Sequence, residues 1–370
     1  MSSTSDAPAH RPDRSVRPDR PEPGVARPRA AVLYNPARVA IAKLRRAVER
    51  TEADAGWAPS LWIPTALDRT GDELVTEAVA AGVELIIAAG GDGTVRAVGS
   101  AMRGRPEAFA VVPAGTANLL ARNAGIPLGD LPAAVQAAFT GNDHPIDLGL
   151  LEYRTIDDRP GETPFLVMTG FGVDADMVTL TDPVLKRRIG WVAYVGPIVR
   201  GLLRRDRPRV VYTLNGEREQ AALLHSLFVG NCGTLTAGFR VLPDALIDDG
   251  LLDVLMVRSL DHVDGPRVTR WLHRFNNPVA RMRRPSRGPA APREVIVPSG
   301  PSTVNTDSFR YATATSLELR ITPEATLQAD GDEIGKVVWA RMTIDPGALR
   351  LRLPASLPRP VRLFRAAEYR

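Results

Sequence analysis

Residues 84–89, Glu84-Leu85-Ile86-Ile87-Ala88-Ala89, form an apolar run that passes without a break into Gly90-Gly91-Asp92-Gly93-Thr94-Val95. A short run with no polar alternation reads as a strand covered on both faces, and residues 95–102 read as the helix that follows it. Glycines at such a strand–helix turn let the backbone adopt positive φ and approach a ligand with no Cβ in the way. Their N–H groups, together with the helix N-terminus, make an anion site suited to phosphate. Asp92 inside that loop has two readings: it meets Mg²⁺ or a proton-donating hydroxyl, or it caps a tight turn. A second turn of the same design, Pro113-Ala114-Gly115-Thr116-Ala117-Asn118, closes the next apolar run, and Asn35-Pro36 closes an earlier one. Loops at the carboxyl ends of neighbouring strands share one crevice in an open α/β sheet. Three of them converging there point to a nucleotide.

The surrounding pattern agrees. Residues 1–28 alternate proline with arginine and small polar residues and read as a disordered tail. Strands at 30–34, 84–89 and 109–113 alternate with helices at 41–53, around 74–79, at 95–102 and from about Asn118, the grammar of a parallel α/β sheet. From about Ile146 the chain becomes β-rich, with strands expected at 164–169, 210–214, 223–229, 251–257 and 316–321 and one helix near 190–203. The expected fold is therefore α/β plus β: a Rossmann-like nucleotide domain over 29–147 and a β-sandwich domain over 148–346, with the active site in the cleft between them. Residues 281–302 read as a mobile basic loop, and 347–370 as a C-terminal segment that returns to the first domain.

Composition removes several classes. The single cysteine, Cys232, excludes an intramolecular disulfide framework and any multi-thiolate zinc site. Five histidines in no HExxH spacing argue against a histidine metal centre. No run approaches ~20 apolar residues, and the polar N-terminus lacks a signal peptide's apolar core, so a soluble cytoplasmic protein is expected. The net charge is +5, yet only 5% of residues are aromatic, which disfavours a nucleic-acid reader. There is no GxxxxGK[ST] and no kinase HRD or DFG set.

The ordered part of the chain resembles the bacterial diacylglycerol kinase family, lipid kinases related to sphingosine and ceramide kinases. The elements that carry the resemblance are Asn35-Pro36, Thr65, residues 90–95 and 113–118. In the second half they are Gly170-Phe171-Gly172-Val173-Asp174-Ala175, Lys186, Gly190 and Tyr194, Val229-Gly230-Asn231, residues 243–253 and Asp330-Gly331. They occur in the family's order across roughly 30–335. The chain departs from the family in having Ala37-Arg38-Val39 after Asn35-Pro36, and Asp330-Gly331-Asp332-Glu333 where Asp-Gly-Glu is usual.

The resemblance implies ATP in the N-terminal crevice, Mg²⁺, and a lipid hydroxyl phosphorylated between the domains, most simply diacylglycerol to phosphatidic acid. Sphingoid-base or ceramide kinase is the alternative acceptor reading, and an idle lipid- or nucleotide-binding regulator is the alternative of another class. NAD kinase is disfavoured because its Asn-Glu pair is absent from this chain. Gly90, Gly91, Asp92, Gly93, Thr94 and Val95 with Gly115, Thr116 and Asn118 are assigned to the ATP phosphates, and Asn35 and Thr65 to the nucleotide. Asp92 serves catalytic Mg²⁺, and Asp330 is the base, with Asp332 or Glu333 as substitutes. By the same resemblance Asp249, with the carbonyls of Leu246 and Leu251, holds a structural Mg²⁺; the competing reading is a solvated hairpin turn. Asp174 contributes to the lipid-hydroxyl site or caps a turn. The stretch from Lys186 through Trp191 to Arg209 has the composition of an interfacial helix, flanked by positive charge, so peripheral contact with the inner face of a membrane is expected alongside the plainer reading of a packed helix. A homodimer is left open.

Overall fold

Leu85–Gly90 is buried at every position, and Ala108–Pro113 at every position but its last. Strands bury both faces only when helices cover them, and that requirement organises the first half of the chain. The computed structural model describes residues 27–66, 68–172, 207–236, 240–258, 304–305 and 309–355. Four parallel strands, β1 (Arg29–Tyr34), β2 (Ala58–Pro64), β3 (Leu85–Gly90) and β4 (Ala108–Pro113), lie in the order β4-β3-β1-β2. Helices α1 (Ile41–Asp54) and α5 (Leu131–Thr140) cover one face, where Leu44, Val48, Val135 and Phe139 meet Val32, Leu85 and Ile87. Helices α2 (Gly71–Ala80) and α3 (Asp92–Ala101) cover the other, with Leu74, Val75 and Val98 against Leu33, Ile86 and Ala88. The start of α2 is set by a capping box, in which Thr70 and Glu73 satisfy each other's backbone N–H groups; such caps are worth about 1 kcal/mol. The short helix α4 (Leu119–Asn123) is halted by Gly125 at φ 69° and by Pro127.

The second half is β throughout its described residues. Its strands are β5 (Asn142–Thr155), β6 (Pro160–Phe165), β7 (Met168–Phe171), β8 (Arg209–Leu214), β9 (Gln220–Leu223), β10 (Ser226–Gly230) and β11 (Leu252–Val257). They continue with β12 (Val304–Asn305), β13 (Phe309–Ala314), β14 (Ser316–Ala329) and β15 (Asp332–Leu353). Phe165, Tyr212, Leu227, Leu252, Leu317 and Met342 fill their shared core. Hydrogen bonding links both halves into one sheet, in the order β12-β13-β11-β10-β7-β14-β15-β4-β3-β1-β2, with β5, β6, β8 and β9 branching from it.

The 22-residue strand β15 makes that link. It pairs antiparallel with β14 and β5, and at Leu351 it lies parallel to β4 at Phe109. The boundary expected at 147/148 falls inside β5, which runs along β15 for most of its length. Pro346 and Gly347 sit in a break of register between Asp345 and Leu349, so the strand continues past residues that read as a turn.

Two expected strands are each divided. The run 164–169 is split between β6 and β7, because the N–H groups of Leu166 and Val167 leave the ladder for the Asp330 carboxylate. The run 223–229 is split between β9 and β10, where Leu224 N–H donates to Pro208 O and His225 N–H to Val257 O. The expectations placed on residues 1–26, on Asp174, on Lys186, Gly190 and Tyr194 with the basic apolar stretch around them, and on the 281–302 loop lie outside the described residues. Among the described residues no helix is long and apolar enough to cross a membrane.

Candidate active site

The four parallel strands end on one side of the sheet, and the backbone ties their loops together. Asn35 N–H donates to Ala89 O at 3.0 Å, Thr65 N–H to Tyr34 O at 2.8 Å, and Ala114 N–H to Gly90 O at 2.8 Å. Asn35 Oδ1 accepts the Ala37 N–H at 2.9 Å, so this side chain shapes its own turn. Thr65 is half-buried and Thr116 is exposed.

The loops after β3 and β4 are in backbone contact. A Cβ on Gly115 would stand 2.6 Å from Gly91 Cα and 2.9 Å from Asn118 Oδ1. Only glycine permits this approach. Asn118, in the left-handed region at φ 47°, closes a small ring: its Oδ1 accepts Gly115 N–H and its Nδ2 donates to Gly115 O, both at 2.8 Å. Its side chain therefore builds the loop. Asp92 braces the same loop from the other side, accepting Asn118 N–H at 2.9 Å and Leu119 N–H at 2.6 Å. Both readings of Asp92 weighed from the sequence concern its own helix or a ligand; the structure shows it holding the start of the next helix, α4.

Helix α3 begins bare. Its N-cap, Gly91, is extended and no side chain caps it. The N–H groups of Asp92, Gly93 and Thr94 precede the first intrahelical bond, Val95 N–H to Gly91 O at 3.0 Å. The partial positive charge of a helix N-terminus is concentrated on such groups. A Cβ on Gly93 would meet nothing within 4 Å, so open space adjoins them, while the Thr94 side chain folds against Gly90. A phosphate fits this cradle in both charge and room.

Asp330 approaches from the second half of the chain. It occupies the turn between β14 and β15 at φ 49°. Its Oδ2 accepts Leu166 N–H at 2.7 Å, and its Oδ1 accepts Val167 N–H at 2.8 Å and Met168 N–H at 3.0 Å. An ionised carboxylate offers about four acceptor sites; three are taken, which leaves one. Burial pushes the carboxyl up to about 6, against the pull of the three N–H donors and the positive charge of Arg96. Asp92, Val95, Leu119, Leu120, Leu166, Val167 and Asp330 line one small cavity, so the two carboxylates singled out from the sequence border the same space from the two halves of the chain.

Asp249 lies away from this cavity. Its Oδ1 accepts Leu251 N–H at 3.1 Å in a local turn, and Leu246 is exposed. Burial, with help from the charges of Asp147 and Asp248 and against the Leu251 N–H, raises the Asp249 carboxyl to about 6. Burial likewise raises Asp147, with a smaller push from Asp345, and Asp248, with a smaller push from Asp147. Among the described residues no group of three or more His, Cys, Asp or Glu side chains is arranged to hold a metal alone. One carboxylate with backbone carbonyls is nevertheless the oxygen set that Mg²⁺ takes with its retained waters, and the crowded negative charge favours a cation there.

Two residues absent from the sequence reading belong to this region. Buried Asp147 accepts Gly250 N–H at 2.6 Å and Gly347 N–H at 2.8 Å, joining the 243–253 loop to the register break of β15. A charged residue within the apolar run Ile146-Asp147-Leu148 was its only sequence signal. Arg96 forms an ion pair with Asp332 across the cleft. Its signal was helical spacing, four residues on from Asp92 and hence on the same face of α3.

A three-layered α/β nucleotide domain joined through a shared cleft to a β-rich domain is the class that this fold and site define. Residues 29–151 match the diacylglycerol kinase catalytic domain, and residues 167–274 match the YegS C-terminal NAD kinase beta sandwich-like domain. The protein named "Probable lipid kinase YegS-like" from Pseudomonas aeruginosa (strain UCBPP-PA14) is 31% identical over 299 residues, which is 79% of this chain and 83% of that one. Its namesake from Klebsiella pneumoniae (strain 342) is 29% identical over 294 residues, 77% of this chain and 82% of that one. The chain belongs to this YegS-like lipid kinase family, built on the diacylglycerol kinase catalytic domain. A solved structure of a diacylglycerol kinase from Bacillus anthracis str. Sterne shares the fold, with TM-score 0.60 and 17% identity over 89% of this chain and 98% of that one.

Proposed function

We propose that this chain transfers the γ-phosphoryl group of ATP to a lipid hydroxyl, with diacylglycerol as acceptor and phosphatidic acid as product. The observation that carries the proposal is the small cavity lined by Asp92 and Asp330, one from each half of the chain. The family's diacylglycerol kinase catalytic domain over residues 29–151 supports the choice of acceptor.

Phosphoryl transfer asks a protein chiefly for positioning and charge compensation. The N–H groups of residues 91–94 and the Thr116 hydroxyl hold the phosphates, and Asn35 and Thr65 border the nucleotide. Asp92 keeps the two glycine loops in register and presents its remaining acceptor sites to the cavity. Asp330 takes the proton of the lipid hydroxyl through its one unused acceptor site. The hydroxyl oxygen then bonds to the γ-phosphorus as the bond to the β–γ bridging oxygen breaks, and ADP leaves. Mg²⁺, when bound, neutralises phosphate charge; the Asp249 loop would hold a second such ion, remote from transfer, in a bracing role. The acceptor is met at a bilayer surface.

Incubation with labelled ATP, Mg²⁺ and vesicles carrying diacylglycerol, ceramide, sphingosine, phosphatidylglycerol or monoacylglycerol tests the reading. A labelled phosphatidic acid band is expected. Label on sphingosine or ceramide alone would move the assignment to a sphingoid-lipid kinase, and no labelled lipid at all would overturn it in favour of a regulator.

A further inference from the structure

Beside the cavity lies a cation, Arg96, whose purpose the fold does not explain. Arg96 lies one turn after Asp92 on α3, beside Val95, which lines the cavity. One guanidinium nitrogen, Nη2, pairs with Asp332, the first residue of β15 and two residues beyond Asp330. Its Nε is buried and has no hydrogen-bond partner among the described residues. A buried donor left unmade is destabilising, which a merely structural tether would not require. The Asp332 side chain, by contrast, is 60% exposed, and an ion pair with so wet a partner contributes little. Arg96 is thus weakly held on one side and unsatisfied on the other, close enough to Asp330 for its charge to act on that carboxyl.

We infer that Arg96 is the residue whose guanidinium hydrogen-bonds the phosphoryl group in transit, exchanging Asp332 for the oxygens of the γ-phosphate as that group passes from the α3 cradle to the lipid hydroxyl held by Asp330. The inference rests on the kinase reading above. The chemistry suits it: the three equatorial oxygens of a transferring phosphoryl group gather charge in the transition state, and the planar guanidinium fork meets two of them at once through Nε and an Nη. Asp332 parks the side chain in the cleft while no phosphate is present and prevents its swinging into solvent. Its place at the start of β15 makes the parked position the one from which both domains' contributions are within reach.

Arg96→Gln and Arg96→Lys, each in the full chain, test this. With ATP, Mg²⁺ and diacylglycerol in phosphatidylglycerol mixed micelles, Arg96→Gln should lower kcat about 10²-fold, the scale for one transition-state donor, with the KM for ATP within about threefold of the parent. Calorimetry with MgADP alone and with MgADP plus aluminium fluoride supplies a readout that does not depend on the acceptor. Arg96→Gln should bind MgADP as the parent does and lose the gain that the fluoride complex brings, and Arg96→Lys should recover part of both losses. Equal weakening of the two complexes, or an unchanged kcat, would overturn the assignment and leave Arg96 an inter-domain tether. If Arg96→Gln melts far below the parent, Arg96→Lys, which can keep the Asp332 pair, decides by the same comparison. A parent chain that forms the fluoride complex yet labels no lipid would sink the acceptor reading alone; one that binds no MgADP would overturn both.

Discussion

Asp92 accepts the Leu119 backbone N–H at 2.6 Å, so the carboxylate of the first glycine loop is what holds the helix after the second. The two halves of the phosphate cradle are therefore a single mechanical unit. Residues that read in sequence as separate ligand contacts divide in the structure into those that build the loops, Asp92, Asn118, Gly91 and Gly115, and those that border open space, Gly93 and Thr116.

That division makes Gly93 a clean probe. It lies in the first turn of α3 with room for a Cβ, and replacing a helical glycine by alanine stabilises by up to ~1 kcal/mol. Gly93→Ala should therefore raise the denaturation midpoint slightly while raising the KM for ATP about tenfold, because a methyl group would enter the space assigned to phosphate. A variant with unchanged ATP kinetics would show that the phosphates lie elsewhere.

Asp92→Asn should affect both folding and turnover. Asparagine keeps one acceptor oxygen and turns an NH₂ towards the second backbone N–H, at a cost of about 1–3 kcal/mol. Urea unfolding should give a lower midpoint with the same slope, and turnover with diacylglycerol should fall at least ~10²-fold. Turnover that survives the change would reduce Asp92 to a brace.

Asp330 sets a pH limb. A base must be ionised, and this carboxyl is raised to about 6 by burial, so kcat/KM should fall as pH drops through about 6. The stability contribution has the opposite sense. A carboxyl raised on folding binds its proton more tightly in the native state; its contribution is full below the unfolded value near 4 and is lost as pH rises through about 6. Asp330→Asn should abolish turnover by about 10²–10⁴-fold and remove its share of that slope. A normal acid limb in Asp330→Asn would move the base to Asp332 or Glu333.

The Asp249 loop predicts a metal response. At pH 7.5 its carboxyl, raised to about 6, is ionised among Asp147 and Asp248. Mg²⁺ at a hundredfold excess over its dissociation constant should stabilise by about 2–3 kcal/mol. The gain should shrink at pH 5, where Asp249 carries a proton, and vanish in Asp249→Ala with little change in ATP affinity. A melting temperature indifferent to Mg²⁺ would make this loop the self-capped turn that the Leu251 N–H already suggests.

Legibility in the sequence followed how locally each feature is determined. Strands β1, β3 and β4 were readable because they bury both faces, and residues 84–95 declare strand, turn and helix within a dozen positions; β2, buried at only two of its positions, and α5 were not read. The cradle was readable for the same reason. Strand β15 was not, since Pro346 and Gly347 mimic a turn and only six of its 22 positions are buried; its far half is held as strand by distant β5 and β4. The break at 166–167 was hidden likewise, because its cause is a carboxylate from Asp330 far along the chain. Arg96 and Asp147 carried residue-type signals too common to select without their partners.

The seam at Leu351 and Phe109 bears on how this molecule can be divided. Strand β4 would be an edge of the parallel sheet if β15 did not lie along it, and an uncovered apolar strand edge recruits other chains. A fragment ending after α5 would keep every loop of the phosphate cradle and still expose that edge. Such a fragment is expected to aggregate, whereas a version supplied with residues 340–355 as a separate peptide should stay in solution. Ownership of the nucleotide half thus extends almost to the end of the described chain, and the two halves are better regarded as one sheet cut by function than as two domains joined by a linker.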